Sequence, residues 1–392
     1  MPELRQHFMR SKYDFIFAGT GCAALSLVMR MIKCGRFADK KILLINKEPK
    51  IKNDRTWCFW EKEKGFFDEI VYKKWDTISV FGDEAPMHFN ILPYQYKMIR
   101  GIDFYNYCFS EIKKYGNIDI VFGNIETVTC DENKISIDID DETYQFEQAT
   151  LFNSFAPDKS VDTGVTKNEI NLLQHFKGWI VETPDARFNP HRATFMDFRV
   201  KQDRGTTFAY VLPFSETKAL VEYTLFTKEL LNDETYETEL KTYLNDFLAI
   251  NNYTVTEKEF GVIPMTTRNF NFYADHMYFI GTAGGQTKAS SGYTFQFIQK
   301  QSAQIVNCLI ENRALAQLSD AAKRFKFYDR VLLDVLYNKR VSGKAVFTTL
   351  FKKNNPHTVL RFLDNESSLK EELKIISALP TIPFLKAALN QF

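Results

Sequence analysis

A glycine-rich turn near the start of the sequence is the first feature that could support chemistry. An apolar run over residues 13–18 predicts a buried parallel strand, and it leads directly into Gly19 and Gly21. Helical periodicity follows over residues 25–34. Helix-terminal N–H groups behind such a turn can bind a pyrophosphate, because they are unpaired and lie at the positive end of the helix dipole. With Ala24 as the third small residue, Gly19, Gly21 and Ala24 are predicted to bind a dinucleotide.

A second buried strand, predicted over residues 41–45, completes a βαβ unit. A carboxylate at the end of this strand normally binds a ribose hydroxyl. Here the position holds Asn46, which can still hydrogen-bond, and Glu48 follows two residues later. We therefore assign both Asn46 and Glu48 to the predicted cofactor site.

A further glycine-rich strand end lies far along the chain, where residues 277–280 lead into Gly281, Gly284 and Gly285. Backbone without Cβ atoms can approach a planar ring closely. Two such segments suit FAD, which must be bound at both its pyrophosphate and its flavin end. Alternatively, these glycines form only a tight turn that leads into the helix predicted over residues 295–311.

The middle of the chain changes character, and its end is predicted to be helical. Alternating or aromatic-rich runs predict strands at residues 77–81, 118–122, 134–139, 193–200, 206–212, 219–226 and 257–262, and residues 228–250 predict one long amphipathic helix. The predicted fold class is α/β: a Rossmann-like FAD-binding domain of the glutathione-reductase type, an inserted, mostly antiparallel β substrate-binding domain and a helical C-terminal region. The expected bounds are 1–75, 124–155 and 260–315 for the first, 76–123 and 156–259 for the second, and 316–392 for the third.

Composition narrows the possible functions. Aromatic residues make up 15% of the chain, with 36 Phe, which indicates either a ring-lined site or a Phe-rich core. The six Cys are scattered without CxxC or metal-ligand spacing, so we interpret them as reduced cytosolic thiols and expect no metal. No stretch is long and apolar enough to predict a secretion signal or a membrane span.

Eight motifs in order resemble the lycopene β-cyclase family, bacterial flavin-dependent carotenoid cyclases with an FAD-dependent oxidoreductase type of fold. The resemblance spans the chain up to about residue 337. The motifs are Gly19-Thr-Gly21, Asn53-Asp-Arg-Thr-Trp57-Cys-Phe-Trp60, Tyr96-Lys-Met-Ile-Arg100, Met196-Asp-Phe-Arg199, Phe208-Ala-Tyr-Val-Leu-Pro213, Leu220-Val-Glu222-Tyr-Thr224, Gly281-Thr-Ala-Gly-Gly285 and Ser290-Ser-Gly-Tyr-Thr-Phe295.

The resemblance implies a role for several single residues. Glu222 corresponds to the family's catalytic acid, and Asp197 is the alternative acid. Because Tyr223 stands where the family often has a second acid, a two-carboxylate mechanism is not expected. The motifs also assign Arg55, Thr56 and Tyr293 to the cofactor site.

The implied reaction is non-redox cyclisation of a linear carotenoid such as lycopene to β-ionone rings, giving γ-carotene and β-carotene. Such a reaction needs a proton donor whose pKa is raised by apolar surroundings, and aromatic faces that stabilise a carbocation. The flavin must be reduced, and NAD(P)H would serve as its reductant.

Two other functions remain open. One is an FAD-dependent monooxygenase or dehydrogenase acting on another apolar substrate, because the cofactor fold is shared among many activities. The other is a carotenoid-binding protein without catalysis, which Asn46, Asn153 and Phe155 make conceivable, since relatives commonly carry other residues at these positions. The sequence leaves open whether one or both ends are cyclised, whether β or ε rings form, and the oligomeric state.

Charge is unevenly distributed although the net charge is +1. From residue 321 to the end there are 13 Lys/Arg and 6 Asp/Glu, and residues 321–361 carry 10 against 2. Phe325, Phe327, Phe347 and Phe351 interleave with these basic residues. We therefore expect a cytoplasmic protein that contacts the inner membrane peripherally through this segment, without a nucleic-acid partner.

Overall fold

The computed structural model describes residues 12–131, 134–155, 169–270, 273–274, 277–318 and 323–391. The strands in chain order are β1 (Phe15–Ala18), β2 (Ile42–Asn46), β3 (Thr56–Glu61), β4 (Lys73–Trp75), β5 (Thr77–Phe81), β6 (Met87–Asn90), β7 (Gln95–Arg100), β8 (Ile118–Phe122), β9 (Ile125–Asp131), β10 (Lys134–Ile139), β11 (Glu142–Glu147), β12 (Thr150–Asn153), β13 (Asn171–Glu182), β14 (Arg192–Asp197), β15 (Thr206–Pro213), β16 (Lys218–Thr227), β17 (Thr254–Thr266), β18 (Tyr273–Ala274) and β19 (Met277–Phe279). The α-helices are α1 (Cys22–Lys33), α2 (Gly101–Ile112), α3 (Asp233–Thr242), α4 (Phe295–Ile310), α5 (Lys323–Tyr337), α6 (Gly343–Lys353), α7 (Pro356–Leu363), α8 (Leu369–Ala378) and α9 (Thr381–Leu389).

A six-stranded sheet in the order β18-β19-β12-β1-β2-β8 forms the first half of the structure. Its strands are parallel except for β18. β1 and β2 are apolar and fully buried, as expected for strands covered on both faces. One face packs against α1, α2 and α4 in a shared apolar cluster. The three-stranded sheet β11-β10-β9 contributes to the cluster on the other face. The predicted α/β class with a parallel sheet is confirmed.

A seven-stranded sheet in the order β17-β13-β16-β15-β14-β5-β6 forms the second half. It is antiparallel apart from the β14–β5 pair. Side chains alternate along β16, so that Leu220 and Phe226 face one apolar cluster while Val221 and Tyr223 face another that contains α3. The two faces of the sheet therefore pack against different parts of the protein. A side chain on one face has different surroundings from a side chain on the other.

The predicted helical C-terminal region is confirmed as α5 to α9. Its aromatic residues do not form the surface expected from the sequence. Phe325, Phe347 and Phe351 are at most 2% exposed. Phe347 and Phe351 pack against the seven-stranded sheet together with residues of α5 and α7. The helices present their aromatic side chains to the core, which corrects the expectation of a membrane-facing aromatic segment over residues 321–361.

Two further predictions differ from the structure. The helix predicted over residues 228–250 begins only at α3, because Asn232 caps it by accepting a hydrogen bond from the Thr235 N–H, and it ends in the π-helical turn Tyr243–Phe247. β8, which was expected within the substrate-binding unit, pairs in parallel with β2 at the edge of the six-stranded sheet. The predicted boundary at residue 123 thus placed residues 118–122 in the substrate-binding domain, whereas they form a strand of the parallel sheet.

None of the helices in the described part of the chain combines the length and the apolar character that a membrane crossing requires.

Candidate active site

The turn at the start of α1, predicted from the sequence to bind a phosphate, combines an unusual backbone conformation with free space. Gly19 has a φ of +90°, a conformation that side chains rarely adopt. Gly21 is the N-cap of α1 and supplies no side-chain hydrogen bond, and a Cβ at Gly21 would point into open space. The buried Thr20 hydroxyl has no hydrogen-bond partner within the described chain. Ala24 is fully buried, which lets α1 pack closely beneath the turn.

The end of β2 supports this turn. The Asn46 side chain accepts a hydrogen bond from the Thr20 N–H at 3.4 Å and donates one to the backbone carbonyl of Glu48. The Glu48 side chain is exposed. The Asn46 side chain therefore makes its hydrogen bonds within the loop and stabilises it. The exposed Glu48 side chain is the one that can face a ribose at this end of the strand.

The second glycine-rich segment meets the first. Gly281 has a φ of +63°, and a Cβ on it would lie 2.8 Å from the Cβ of Ala23. A Cβ on Gly284 would lie 2.2 Å from the Phe279 carbonyl oxygen, and Gly285 also has a positive φ. The structure thus brings together the two segments that the sequence assigns to one cofactor. α4 follows with Thr294 as the N-cap. The Thr294 hydroxyl donates a hydrogen bond to the Gly292 carbonyl and does not cap the first N–H groups of the helix.

A cleft of about 270 Å³ is lined by residues that follow Gly281 and by residues of the seven-stranded sheet. Thr282, Gly292 and Tyr293 line one side, and Glu222 on β16 and Glu259 on β17 line the other. Buried polar atoms without a hydrogen-bond partner in the described chain border the cleft, namely Gln174 Oε1, Ser291 Oγ and Glu259 Oε1. Such atoms are costly to bury unless a ligand, water or a proton satisfies them.

Two carboxyl groups face each other in the cleft across one glycine. In the strand register, Gly178 on β13 lies opposite Glu222 on one side and opposite Glu259 on the other. Neighbouring strands are about 4.8 Å apart, so the two glutamate backbones are separated by roughly 10 Å. Gly178 leaves the space between them free, since a Cβ there would lie 2.8 Å from Glu259 Cγ. Tyr210 continues the row because it lies opposite Glu222 on β15.

Burial and mutual repulsion keep a proton on this pair. Burial is the main cause that raises the pKa of Glu222, to about 8, and the neighbouring Glu259 raises it further. Thr224 donates a hydrogen bond to Glu222 at 2.6 Å, which opposes the shift. The pKa of Glu259 is also raised by burial, although Thr56 donates a hydrogen bond to its Oε2 at 2.7 Å. The pair therefore includes a protonated carboxyl near neutral pH.

Comparison with known proteins identifies the family. The family described as lycopene cyclase protein matches residues 14–389. The chain belongs to this lycopene cyclase family. A lycopene beta-cyclase of Paracoccus sp. is 26% identical over 229 residues, which cover 54% of this chain and 57% of that relative. The match thus spans little more than half the length of the curated relative.

Solved structures share the fold of this lycopene cyclase family member at low sequence identity. A geranylgeranyl bacteriochlorophyll reductase-like protein of Thermoplasma acidophilum is 12% identical with a TM-score of 0.67 over 97% of this chain and 99% of that one. A flavoprotein/dehydrogenase of Cytophaga hutchinsonii is 10% identical with a TM-score of 0.66 at the same coverage. A p-nitrophenol 4-monooxygenase of Pseudomonas putida is 13% identical with a TM-score of 0.59, covering 97% and 98%. The fold is that of flavoproteins.

Aromatic side chains surround the carboxyl pair of this family member. Trp57, Phe176 and Tyr96 line the cleft together with Tyr210 and Tyr293. Tyr293 packs edge-on against Trp60, with ring centroids 4.7 Å apart. Burial raises the pKa of Tyr96, Tyr210 and Tyr293, so all three phenols stay neutral. Neutral aromatic faces attract positive charge without competing for the proton.

Arg55 and Thr56, assigned from the sequence to the cofactor site, both line the cleft. The Arg55 guanidinium donates a hydrogen bond to the Asp54 carbonyl at 2.8 Å. The Thr56 hydroxyl is committed to Glu259, as described above. Thr56 thus contacts the carboxyl pair directly, a contact that the sequence does not indicate.

Asp197, the alternative acid, lies away from this cleft. It pairs with the Arg199 guanidinium, whose Nε is 2.9 Å from Asp197 Oδ1, and it accepts a hydrogen bond from the Tyr243 hydroxyl at 2.8 Å. Tyr243 belongs to the cluster on the opposite face of the seven-stranded sheet from Leu220. The structure therefore separates the two sequence-predicted acids.

The sequence interpretation missed Glu259 and Gly178. The expectation of a single acid rested on Tyr223, the neighbour of Glu222 in sequence, but the second carboxyl comes from another strand. One signal was available: Glu259 lies within the strand predicted over residues 257–262, and alternation along that strand sets its face. Only the register of β13 shows that this face is shared with Glu222.

Proposed function

We propose that this chain is a carotenoid cyclase that closes β-ionone rings at the ends of a linear carotenoid such as lycopene, without net redox change. The observation that supports this most directly is the carboxyl pair of Glu222 and Glu259, half-buried in an aromatic cleft of a lycopene cyclase family member. A protonated carboxyl in a water-poor, aromatic site is what protonation of an alkene requires.

The proposed reaction balances through the carboxyl pair alone. The Glu222 carboxyl gives its proton to the terminal carbon–carbon double bond, which leaves a tertiary carbocation. A neighbouring double bond of the polyene attacks this carbon, so that one carbon–carbon bond forms and the positive charge moves into the new ring. A ring carbon then loses a proton to a carboxylate oxygen of the pair. Substrate and product are isomers, and the pair regains the proton that it donated.

The residues present fit an FAD. The turn with Gly19, Gly21 and Ala24 would hold the pyrophosphate, and Gly281 to Gly285 with Tyr293 would border the ring. Glu48 would face the ribose, while Asn46 holds the loop in place through its hydrogen bonds. The flavoprotein fold of the neighbours supports this. Reduced flavin supplies an electron-rich face that stabilises positive charge, and NAD(P)H would serve only to keep it reduced.

Gly21→Val tests the cofactor proposal. The backbone at Gly21 has a φ of −79°, which valine tolerates, and its Cβ would enter only open space. We expect a folded protein that has lost its flavin. Gly284→Val is unsuitable, because its Cβ would collide with backbone. Flavin content equal to wild type in Gly21→Val would contradict the proposed site.

Expression in a lycopene-accumulating bacterium, followed by pigment chromatography, tests the reaction. We expect γ-carotene and β-carotene to appear as lycopene declines, with NAD(P)H consumed far below one equivalent per ring. Stoichiometric NAD(P)H or O₂ consumption with an oxygenated or desaturated product would instead indicate a monooxygenase or dehydrogenase. Bound but unchanged lycopene would indicate a carotenoid-binding protein.

A further inference from the structure

The last two helices expose an unusual set of large aliphatic side chains. Most apolar residues of α5 to α7 are buried, whereas six on α8 and α9 are between 41% and 69% exposed. We name these six residues the α8–α9 face: Leu369, Leu373, Ile376, Ile382, Leu385 and Leu389. So many exposed large aliphatic side chains on two helices of a folded chain indicate an interaction site.

The spacing places each set on one side of its helix. Leu369, Leu373 and Ile376 follow an i, i+4, i+7 pattern on α8, and the residues on α9 follow i, i+3, i+7. The opposite sides of the helices are packed, with Ile375 and Ala387 at most 1% exposed. Each helix therefore has two apolar stripes. One stripe packs against the rest of the protein, and the other faces outward.

The charges beside this face are basic. Lys370, Lys374 and Lys386 are exposed on the same two helices. The two carboxylates of α8 are already paired, Glu371 with Arg361 and Glu372 with Arg324. Unneutralised charge around the α8–α9 face is thus positive.

We propose that the α8–α9 face docks on a bilayer surface that contains anionic lipid. Outward aliphatic stripes flanked by lysines match an interfacial helix, whose apolar side enters the acyl boundary while basic side chains meet headgroups. A second copy of the chain fits less well, because two such faces would bring both sets of lysines together. This surface replaces the segment expected from the sequence, whose phenylalanines are buried.

A second cavity in the protein has a volume of about 630 Å³. Val341 lines it and also packs in the cluster that holds Ala387 of α9. Leu172 and Phe226 line its inner wall, on the same face of the sheet as Glu222. Phe226 is four residues from Glu222 along β16, or about 13 Å. Resting on the proposed function, docking would bring the enzyme to the bilayer that holds its hydrocarbon substrate.

Co-sedimentation of the full chain with phosphatidylcholine vesicles, with and without phosphatidylglycerol, tests the docking surface without any substrate. We expect the wild type to bind the mixed vesicles and Leu373→Gln/Leu385→Gln to bind them at least about tenfold more weakly, since transfer of aliphatic area is lost. Lys370→Gln/Lys374→Gln/Lys386→Gln should lose the preference for phosphatidylglycerol. Ile51→Gln, which changes an aliphatic residue that is 76% exposed elsewhere, should bind like wild type.

Wild-type binding by the leucine variant, or a wild type that ignores both vesicle types, would overturn the proposal. So would a wild-type dimer in light scattering that the leucine variant dissociates. Cyclisation in detergent separates this failure from failure of the proposed function: a docking variant should cyclise solubilised lycopene normally but lose turnover of lycopene supplied in vesicles. A chain that binds vesicles but never cyclises would contradict only the reaction.

Discussion

Two carboxyl groups on opposite faces of one sheet differ in the partners that surround them. Asp197 is fully buried, and it accepts hydrogen bonds from a guanidinium and a phenol. Glu222 is also enclosed, but its near neighbours are another carboxyl and aromatic rings. Both carboxyl groups are enclosed by the protein, so enclosure alone does not decide their chemistry. The partner decides it: Asp197 is paired with a guanidinium, whereas a second acid keeps a proton on the Glu222 pair.

The largest expected effect comes from Glu222→Gln. Glutamine keeps the shape and accepts the Thr224 hydrogen bond, but it cannot protonate an alkene. We expect ring formation to fall by about 10²–10⁴-fold or more, with flavin content and folding retained. Chromatography of products over a fixed time measures the loss. Cyclic carotenoid at near wild-type yield would remove Glu222 from the mechanism.

Glu259→Gln should have a smaller effect that depends on pH. Because the Glu259 carboxylate raises the pKa of Glu222, its removal lowers that pKa and shifts the activity profile to more acidic pH. We expect about a tenfold loss at pH 8 and less at pH 6. Thr224→Val provides the matched control, since loss of its hydrogen bond should shift the profile the other way. A pH profile unchanged in Glu259→Gln would mean that the two carboxyls do not interact.

Gly178→Ala tests the space between the carboxyls. The added Cβ would lie 2.8 Å from Glu259 Cγ and 3.0 Å from Leu220 Cδ1, so the pair must separate. We expect about tenfold slower cyclisation and roughly 1–3 kcal/mol lower stability. Gly116→Ala is the control, because its Cβ would meet nothing within 4 Å. Equal activity of both variants would show that the gap at Gly178 has no catalytic importance.

Asp197→Asn should have the smallest effect on activity and a clear one on stability. It leaves Arg199 without its carboxylate, and we expect a loss of about 2 kcal/mol in the free energy of unfolding. Cyclisation should stay within about twofold of wild type, because this side chain faces away from the cleft. Asp246→Asn, at an exposed position near α3, should change stability by less than about 0.5 kcal/mol. Abolished cyclisation in a stable Asp197→Asn protein would reverse the two roles.

Local patterns predicted the half of the molecule with the parallel sheet well. The strand, turn and helix around Gly19 and Gly21 follow one another in the chain, so a short window of sequence is enough to predict them. The position of Glu222 was predicted only through the resemblance to a family. Its partner Glu259 was not predicted, because their contact depends on β13 pairing with both strands, and such register is decided by the whole sheet.

Periodicity also identified a helical C-terminal region without showing which side faces water. Phe347 and Phe351 repeat at helical spacing, which is equally consistent with an outer or an inner face. The structure turns them inward against the sheet and leaves Leu373 and Leu385 outside. Which stripe is covered depends on the neighbouring helices, and the sequence alone does not specify their arrangement.

The protonation state of Glu222 is the central claim, and a pH titration followed by infrared spectroscopy tests it directly. In the folded chain its pKa is raised from 4.5 to about 8. The folded protein thus holds a proton that the unfolded chain releases. This contribution to stability is complete below pH 4.5 and is lost as the pH rises toward 8.

The pKa of Asp364 is also raised, to about 7, so we expect Glu222→Gln to lose only part of the protonated-carboxyl band at pH 7. The part that this variant lacks should disappear near pH 8 in wild type. Over the same range the stability of wild type should fall relative to that of the variant, and cyclisation should decline with the band. A wild-type spectrum at pH 7 that is identical to that of Glu222→Gln would show an ionised Glu222 and contradict the account.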